Sequence, residues 1–255
     1  MNFNILRFDT IGSTNTEAIN QARLGAEEGL CIIARQQNAG RGRQGRAWIS
    51  EKDAGLYFSV VLRPGIEIRF LPLITLMAGV AVFDTLQEYD LKPDIKWVND
   101  VLIGEKKISG ILAETVETPK GLAVIVGIGI NLKSSNFPPE IEQIATSIES
   151  ETQRLLNAEE VAATLTKFFS YFYGILNDVN GPKNILGEWR RRSSYFSGKS
   201  VRVVLENETV TGTTDGLEDN GALRIKTSSG LIKIIQAGDV ENLRTSGAGI
   251  AAHDS

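Results

Sequence analysis

A glycine- and arginine-rich segment, residues 36–48, carries the side chains best suited to chemistry. Glycine alternates with arginine at Gly40-Arg41-Gly42-Arg43, and a further pair follows at Gly45-Arg46. No acidic residue lies between Arg35 and Glu51 to neutralise the three guanidinium groups. Glycine lets the backbone approach a ligand closely, and guanidinium donors match pairs of carboxylate or phosphate oxygens. We interpret the segment as an anion-binding loop, here called the arginine loop, with Trp48 as a flat apolar face for a purine.

The alternative is a solvated basic hairpin or an RGG-like tether for nucleic acid. Such tethers are long and lie in biased sequence, whereas this loop lies between two apolar strand candidates, residues 29–34 and 54–62. The net charge of −4 also argues against a DNA-binding protein. The sequence therefore favours a rigid sheet that carries a loop which is mobile until an anion binds.

The composition excludes several classes of protein. With 255 residues, 42% hydrophobic and 23% charged, the chain has room for one large domain, or one large and one small. No run approaches the roughly 18 apolar residues that cross a bilayer, and no signal peptide is visible, so we expect a cytoplasmic protein without a membrane partner. The only histidine is His253 and the only cysteine is Cys31, which excludes catalytic triads and an intrachain disulfide. Arginine, lysine, aspartate and asparagine remain, and they suit phosphate and acyl-phosphate reactions.

Hydrophobic periodicity predicts an α+β arrangement over most of the chain. Strands are predicted at residues 4–10, 29–34, 55–63, 93–97, 101–103, 106–114 and 121–132, and helices at about 13–24, 72–88, 161–176 and 184–192. Thr14 and Glu17 have the spacing of a capping box, with Ser13 or Thr14 as the N-cap. Residues 134–157 are predicted to be loop-like, and the run Arg190-Arg191-Arg192 is interpreted as a solvated face.

The strand at 121–132 is apolar on both faces, which places it in the middle of the sheet. Gly127 and Gly129 weaken such a strand unless something packs closely on its backbone, and a ligand is favoured over a bulge. Asn131, at its end, is suited to contact a base edge. Beyond Gly198, short alternating strands at 200–205, 209–215, 222–227 and 231–236 predict a small all-β domain that docks on the first, because so small a unit depends on a neighbour for stability.

Five segments together resemble the biotin protein ligases over residues 1 to about 244. They are Gly12-Ser13-Thr14-Asn15, the arginine loop, Lys96-Trp97-Val98-Asn99-Asp100, Lys107-Ile108-Ser109-Gly110-Ile111-Leu112 and Gly127-Ile128-Gly129-Ile130-Asn131. The resemblance implies a catalytic domain over residues 1–195, with the mixed β-sheet and flanking helices shared by biotin and lipoate ligases. It also implies a small SH3-like β-barrel over residues 196–244, and we expect residues 245–255 to be a disordered tail.

The resemblance further implies a reaction in two steps. Biotin and MgATP give biotinyl-5′-AMP and pyrophosphate, and the biotinyl group then passes to a lysine of a biotin carboxyl carrier domain. Mg²⁺ comes with ATP and needs no dedicated protein ligands. Carried over by position, the residues expected at biotin are Ser13, Thr14, Asn15, Gln37, Arg41, Gly42, Arg43 and Lys107. Those expected at ATP or the adenylate are Arg41, Arg46, Trp48, Asp100, Lys107 and Asn131, and the catalytic set is Lys107, Asp100 and Arg43.

The chemistry is consistent with these residues. Biotin's carboxylate is ionised at pH 7, so its attack on the α-phosphate needs positioning and charge stabilisation rather than a base. The carrier lysine must lose a proton, and Asp100 is the candidate to orient it or accept that proton. The alternatives are a turn cap for Asp100 and a solvated strand end for Lys107.

Two departures from the family pattern are visible. Val98 stands where the family usually has proline, so the turn before Asn99 is expected to be less rigid. The first predicted strand begins almost at Met1, whereas ligase-repressors carry an N-terminal winged helix, so neither a DNA partner nor a repressor role is expected.

Competing functions are lipoate or octanoate ligation, which would predict a loop with more adjacent glycines, and a nucleic-acid-binding module. A P-loop NTPase is disfavoured because no G-x-x-x-x-G-K-[ST] motif occurs. A homodimer is one option for an oligomeric state that the sequence leaves open.

Overall fold

The apolar segments of the sequence form two β-sheets with helices packed on them. The computed structural model describes residues 1–134, 137–206 and 208–242. The helices are α1 (Thr14–Arg23), α2 (Leu73–Gln87), α3 (Pro139–Glu142), α4 (Ile148–Thr152), α5 (Ala158–Leu176) and α6 (Gly181–Arg192). The strands are β1 (Asn4–Ile11), β2 (Leu30–Gln37), β3 (Gly55–Leu62), β4 (Pro93–Lys96), β5 (Asp100–Ile103), β6 (Lys106–Thr118), β7 (Gly121–Asn131), β8 (Ser197–Val204), β9 (Thr209–Leu217), β10 (Leu223–Lys226), β11 (Ile232–Ile235) and β12 (Asp239–Asn242).

The larger sheet is mixed and has the strand order β1-β2-β3-β7-β6-β5-β4. Strands β1 and β2 are parallel and joined through α1, whereas the other neighbouring pairs are antiparallel. Strand β7 lies fourth of the seven, which confirms the central position predicted from its two apolar faces. The carboxyl end of β7 therefore lies in the middle of the sheet edge, where other residues can pack on its backbone.

Alternate side chains of the sheet enter two hydrophobic cores. On one face, Cys31 and Ile33 of β2 belong to the core that contains α2, α5 and α6. On the other face, Leu30 and Ile32 pack with Ala18 of α1. Helix α5 begins with a capping box, in which Asn157 and Glu160 bond each other's backbone amides. Among the described residues no helix is long and apolar enough to span a bilayer.

The smaller sheet is antiparallel, with the order β11-β10-β9-β8-β12. Its strand β12, paired with β8, was not predicted from the sequence. The predicted docking is confirmed, since Val201 and Leu223 of this sheet share a core with α2 and Trp97. Trp97 Nε1 also donates a hydrogen bond of 2.9 Å to the Gly221 carbonyl oxygen. The predicted tail, residues 245–255, lies outside the described residues.

Two local predictions were wrong. Residues 134–157, predicted to be loop-like, contain the short helices α3 and α4. Ser13 is the N-cap of α1, as one of the two predicted candidates, although its side chain makes no capping bond. The predicted capping box does not form, because the Thr14 hydroxyl donates to Gln37 Oε1 instead.

The arginine run 190–192 is not uniformly solvated. Arg192 is largely buried and pairs with Asp84 of α2 at 2.6 Å and with Glu188 at 2.5 Å. Burial opposes its charge, but these bonds outweigh that effect and raise the pKa of Arg192. The pattern of the sequence could not show this, because Asp84 lies 108 positions away.

We predict that Trp97→Phe destabilises the protein more than Trp189→Phe does. Both indoles are buried, but Trp189 Nε1 has no hydrogen-bond partner among the described residues. Trp97→Phe leaves the Gly221 carbonyl unpaired, which costs about 1–3 kcal/mol beyond the shared loss of volume. Urea unfolding of both variants measures the difference, and equal losses would show that this bond contributes nothing.

Candidate active site

The arginine loop covers a cavity at the edge of the larger sheet where β2 and β7 end and β3 and β6 begin. The predicted site residues that line this first cavity are Ser13, Thr14, Asn15, Gln37, Arg41, Gly42, Arg43, Arg46, Trp48, Asp100 and Lys107. Asn131 instead lines a second cavity beyond Trp48. Segments that are far apart in sequence thus meet in one place.

Hydroxyl and amide groups form one end of the first cavity. Gln37 Oε1 accepts from the Thr14 amide at 2.8 Å and from Thr14 Oγ1 at 3.1 Å, and Gln37 Nε2 donates to Ser50 Oγ at 2.7 Å. Ser59 Oγ lies 2.8 Å from Thr14 Oγ1 and 2.6 Å from Asn15 Oδ1. These groups are buried or half-buried, so they present a fixed set of neutral donors and acceptors to a small polar head group.

Strand β7 allows two side chains to lie directly on its backbone. A Cβ added at Gly127 would lie 2.1 Å from Asn15 Oδ1, and one added at Gly129 would lie 2.4 Å from the Trp48 ring. The sequence pattern favoured a ligand as the reason for these glycines. In the structure the groups that require them are the side chains of Asn15 and Trp48.

Lys107 and Asp100 form an ion pair at the boundary of both cavities. Lys107 Nζ lies 2.6 Å from Asp100 Oδ1 and 5.4 Å from the centre of the Trp48 ring. Lys96 Nζ lies 3.6 Å from Asp100 Oδ2, so two ammonium groups face one carboxylate. Asp100 is therefore more than a turn cap, and Lys107 is not a solvated strand end.

Two arginines of the loop, Arg43 and Arg46, contact the smaller sheet or the residue before it. Arg46 Nη2 bonds both carboxylate oxygens of Asp239, at 2.7 and 2.8 Å. Arg43 Nη1 donates to Asn99 Oδ1 at 3.0 Å and to the Gly238 carbonyl at 3.4 Å. Burial lowers the pKa of Arg43, although Asp239 and Asp100 partly offset it. The loop therefore spans the two sheets.

The turn before Asp100 is fixed by the backbone of β6. The Ile111 amide donates to the Asn99 carbonyl oxygen at 2.9 Å, and Asn99 Nδ2 donates back to the Ile111 carbonyl oxygen at 3.0 Å. The peptide bond between Trp97 and Val98 is cis. This reciprocal pair holds the turn that contains Val98.

The second cavity has mostly apolar walls. Tyr57, Phe137, Ile141 and Ile144 contribute to them, and Asn131 lies at the margin with Lys107. Asn131 Nδ2 donates to the Thr146 carbonyl oxygen at 2.9 Å, which orients its amide. This mostly apolar lining suits a heterocyclic ring.

Four further residues of the site were not predicted from the sequence: Ser59, Asn99, Glu114 and Asp239. Glu114 accepts hydrogen bonds from Asn15 and Arg41, and Asp239 pairs with Arg46. None of them lies in a recognisable local motif apart from Asn99, which stood inside one of the five segments. Among the described residues no group of three or more histidine, cysteine or acidic side chains is arranged to hold a metal ion.

Two family descriptions match the chain. Residues 8–131 match the Biotin/lipoate A/B protein ligase family, and residues 196–241 match the Biotin protein ligase C terminal domain. The fold and the site thus define a ligase of the biotin and lipoate class.

Individual relatives narrow this class. The "Bifunctional ligase/repressor BirA" of Bacillus subtilis is 35% identical over 248 residues, which cover 94% of this chain and 74% of that protein. The "Biotin--[acetyl-CoA-carboxylase] ligase" of Mycobacterium tuberculosis is 31% identical over 240 residues, 91% of this chain and 86% of that protein. The structure of the biotin protein ligase from Aquifex aeolicus in complex with biotin and ATP superimposes with a TM-score of 0.82 at 31% identity, covering 95% of this chain and 99% of that one. The chain belongs to the biotin protein ligase family.

We predict that Gly129→Ala displaces Trp48 from the sheet. The added methyl group would overlap the indole ring, and the backbone of a central strand cannot move aside cheaply. Trp97 and Trp189 are buried, so acrylamide quenching of tryptophan fluorescence reports mainly on Trp48. Quenching should increase in Gly129→Ala and stay unchanged in Gly174→Ala, where the added group meets nothing within 4 Å. Unchanged quenching in both variants would contradict this packing.

Proposed function

We propose that this chain is an ATP-dependent biotin protein ligase that forms biotinyl-5′-AMP and transfers the biotinyl group to a lysine of a biotin carboxyl carrier domain. The observation that carries this proposal is the position of Lys107 at the boundary of two cavities. The first cavity has a neutral hydroxyl and amide end, and the second has mostly apolar walls. Biotin fits the first and adenine the second, with the reacting carboxylate and α-phosphate meeting near Lys107.

The first cavity suits biotin because of its fixed polar groups. Thr14, Asn15 and Gln37 offer donors and acceptors to the ureido ring, with Ser13 beside them at the start of α1. The apolar part of biotin lies against Ile111 and Ile128, which also line this cavity. The carboxylate then points toward Lys107, and the backbone of Gly42 and the side chain of Arg43 close the loop over it.

The second cavity suits the nucleotide. Trp48 separates the two cavities, and its buried Nε1 has no hydrogen-bond partner among the described residues. Asn131 lies at the margin, where its amide is already oriented, and reads the adenine edge. Arg41, Arg43 and Arg46 approach the phosphates from the loop, and Mg²⁺ enters with ATP as part of the substrate.

The first step needs no base from the protein. A carboxylate oxygen of biotin attacks the α-phosphorus, and the bond to the β-phosphate oxygen breaks, so pyrophosphate leaves. Two anions must approach each other, which Lys107 and the loop arginines favour by placing positive charge around the α-phosphate. Holding both reactants in one site also removes much of the entropic cost of their encounter.

The second step requires a neutral amine. The carrier lysine loses a proton, its nitrogen attacks the acyl carbon, and the bond to the phosphate oxygen breaks to release AMP. Asp100 has the position to receive the ammonium group in place of Lys107 or Lys96 and to accept its proton.

We also propose the division into a catalytic domain over residues 1–195 and a β domain over residues 196–244, which the break between α6 and β8 supports.

The test is exchange of labelled pyrophosphate into ATP. We expect exchange that requires biotin and Mg²⁺ and is absent when lipoate replaces biotin. Exchange with lipoate alone would overturn the assignment of biotin as substrate, and exchange with neither acid would overturn the reaction.

We predict that Lys107→Ala lowers the rate of biotinyl-AMP formation by about a hundredfold or more, because a cation is lost where charge develops. Lys106→Ala is the matched control, since Lys106 is the neighbour on β6 and its exposed side chain bonds only the Glu142 carbonyl among the described contacts. Single-turnover formation of biotinyl-AMP measures both. Equal rates in the two variants would remove Lys107 from the first step.

Asp100→Asn should separate the two steps. We expect transfer from preformed biotinyl-AMP to the carrier domain to slow by about a hundredfold, because a neutral amide cannot accept the proton. Asp178→Asn, at an exposed position after α5, controls for loss of a surface charge. A transfer rate in Asp100→Asn equal to that of the control would exclude Asp100 from the second step.

A further inference from the structure

Glu114 of β6 joins the arginine loop to the polar end of the first cavity. Its Oε2 atom accepts hydrogen bonds from Asn15 Nδ2 at 2.9 Å and from Arg41 Nη2 at 2.6 Å. Glu114 is not among the residues that line the cavity, so it acts behind the wall. One carboxylate oxygen thus serves two residues of the proposed biotin site that lie 26 positions apart, Asn15 and Arg41.

The bonds of Asn15 show why this oxygen matters. Asn15 is 3% exposed, and its Oδ1 atom faces the Ser59 hydroxyl at 2.6 Å. Its Nδ2 atom donates to the Leu112 carbonyl at 3.1 Å and to Glu114. A hydroxyl can donate or accept, so Ser59 alone does not fix which way the amide points. The acceptors Leu112 and Glu114 do, because neither can donate.

The bond to Arg41 has a different effect. Arg41 is the first arginine of the loop, and Glu114 is the acidic residue that pairs with it. The Arg41 side chain is 41% exposed, so in isolation such a pair would contribute little. Glu114 is itself held by the bond to the buried Asn15 amide, however, which removes much of the entropy that a free surface pair must lose. Through Arg41 the loop is thereby attached to strand β6.

We propose that Glu114 is a positioning residue that couples the orientation of Asn15 to the closed position of Arg41. Because both donors hold one carboxylate, loss of either bond frees that carboxylate and loosens its hold on the other residue, so biotin binding and loop closure are coupled. This inference rests on the proposed function, since it assigns the first cavity to biotin. Glu114 acts on binding and loop position, and not on the reacting atoms.

Glu114→Gln tests the coupling with nearly unchanged shape. The amide removes the charge that holds Arg41 and offers a donor that opposes Asn15 Nδ2. We expect KM for biotin in pyrophosphate exchange to rise about tenfold while kcat stays within about twofold, the pattern of lost uniform binding. Amide hydrogen exchange over residues 40–47 should also become faster in the absence of ligand.

The control is Glu117→Gln, an exposed glutamate three positions along the same strand. It should match the wild type in KM and in amide exchange. Arg41→Met supplies an independent variant that leaves Glu114 and Asn15 in place. In the Arg41→Met background, Glu114→Gln should raise KM by clearly less than its effect alone, because one of its two partners is already gone.

The outcomes separate this inference from the proposed function. A wild-type protein without biotin-dependent exchange would overturn the function, and amide exchange would still report on the loop. Normal wild-type activity with equal KM in Glu114→Gln and Glu117→Gln would overturn the role of Glu114. Strict additivity with Arg41→Met would overturn the coupling. If Glu114→Gln does not fold, an unchanged KM for biotin in Arg41→Met would overturn the role of Glu114.

Discussion

Three guanidinium groups in one short loop repel one another, and the site depends on where their counter-charges are. The loop sequence supplies none between Arg35 and Glu51. Glu114 of β6, 73 positions from Arg41, and Asp239 of β12, 193 positions from Arg46, neutralise the outer two. The loop is therefore held by both sheets. Because Arg46 remains 59% exposed, its ion pair with Asp239 is worth only about 0–1 kcal/mol. A phosphate can replace Asp239 at little cost, whereas Arg41 is attached through Glu114 to the buried Asn15 amide.

The second constraint is the bare backbone of β7. Two glycines in a strand that is otherwise apolar let Asn15 and Trp48 lie against the sheet itself. Asn15 thereby reaches Ser59 and Glu114 at the same time, and Trp48 forms the wall between the two cavities. A side chain at either glycine would push one of these residues away. The central strand of the sheet thus sets the positions of two residues of the proposed substrate site.

Local pattern was sufficient to predict most of the fold. The central position of β7 followed from its apolar faces, and the helices α2 and α5 followed from their periodicity. Two of the misses share a physical cause, which is that a partner distant in sequence decided the structure. Thr14 bonds Gln37 rather than capping its helix, and Arg192 pairs with Asp84. The short helices α3 and α4 were missed for another reason, because they lie in a segment without periodicity.

The candidate site shows the same division. Each of the five segments contributes residues to one of two adjacent cavities, because the segments meet at the same edge of the larger sheet. Glu114 and Asp239 were not predicted, since an acidic residue on a strand carries no sign of which arginine it will meet. The position of Glu114 depends on the register between β6 and β7, and that of Asp239 depends on the docking of the smaller sheet. Neither can be deduced from a local pattern in the sequence.

The position of Lys107 explains how a site without histidine can perform both steps of the proposed reaction. Its ammonium group lies between an aromatic face and a carboxylate, where two cavities meet. In the first step the nucleophile is already an anion, so a cation at this point assists both partners and no proton moves. In the second step the nucleophile arrives as an ammonium ion, for which Asp100 is the proposed acceptor. The same ion pair can thus serve two steps whose nucleophiles arrive with opposite charge. In the proposed reaction Lys107 acts at the phosphate in the first step, and Asp100 acts at the incoming amine in the second.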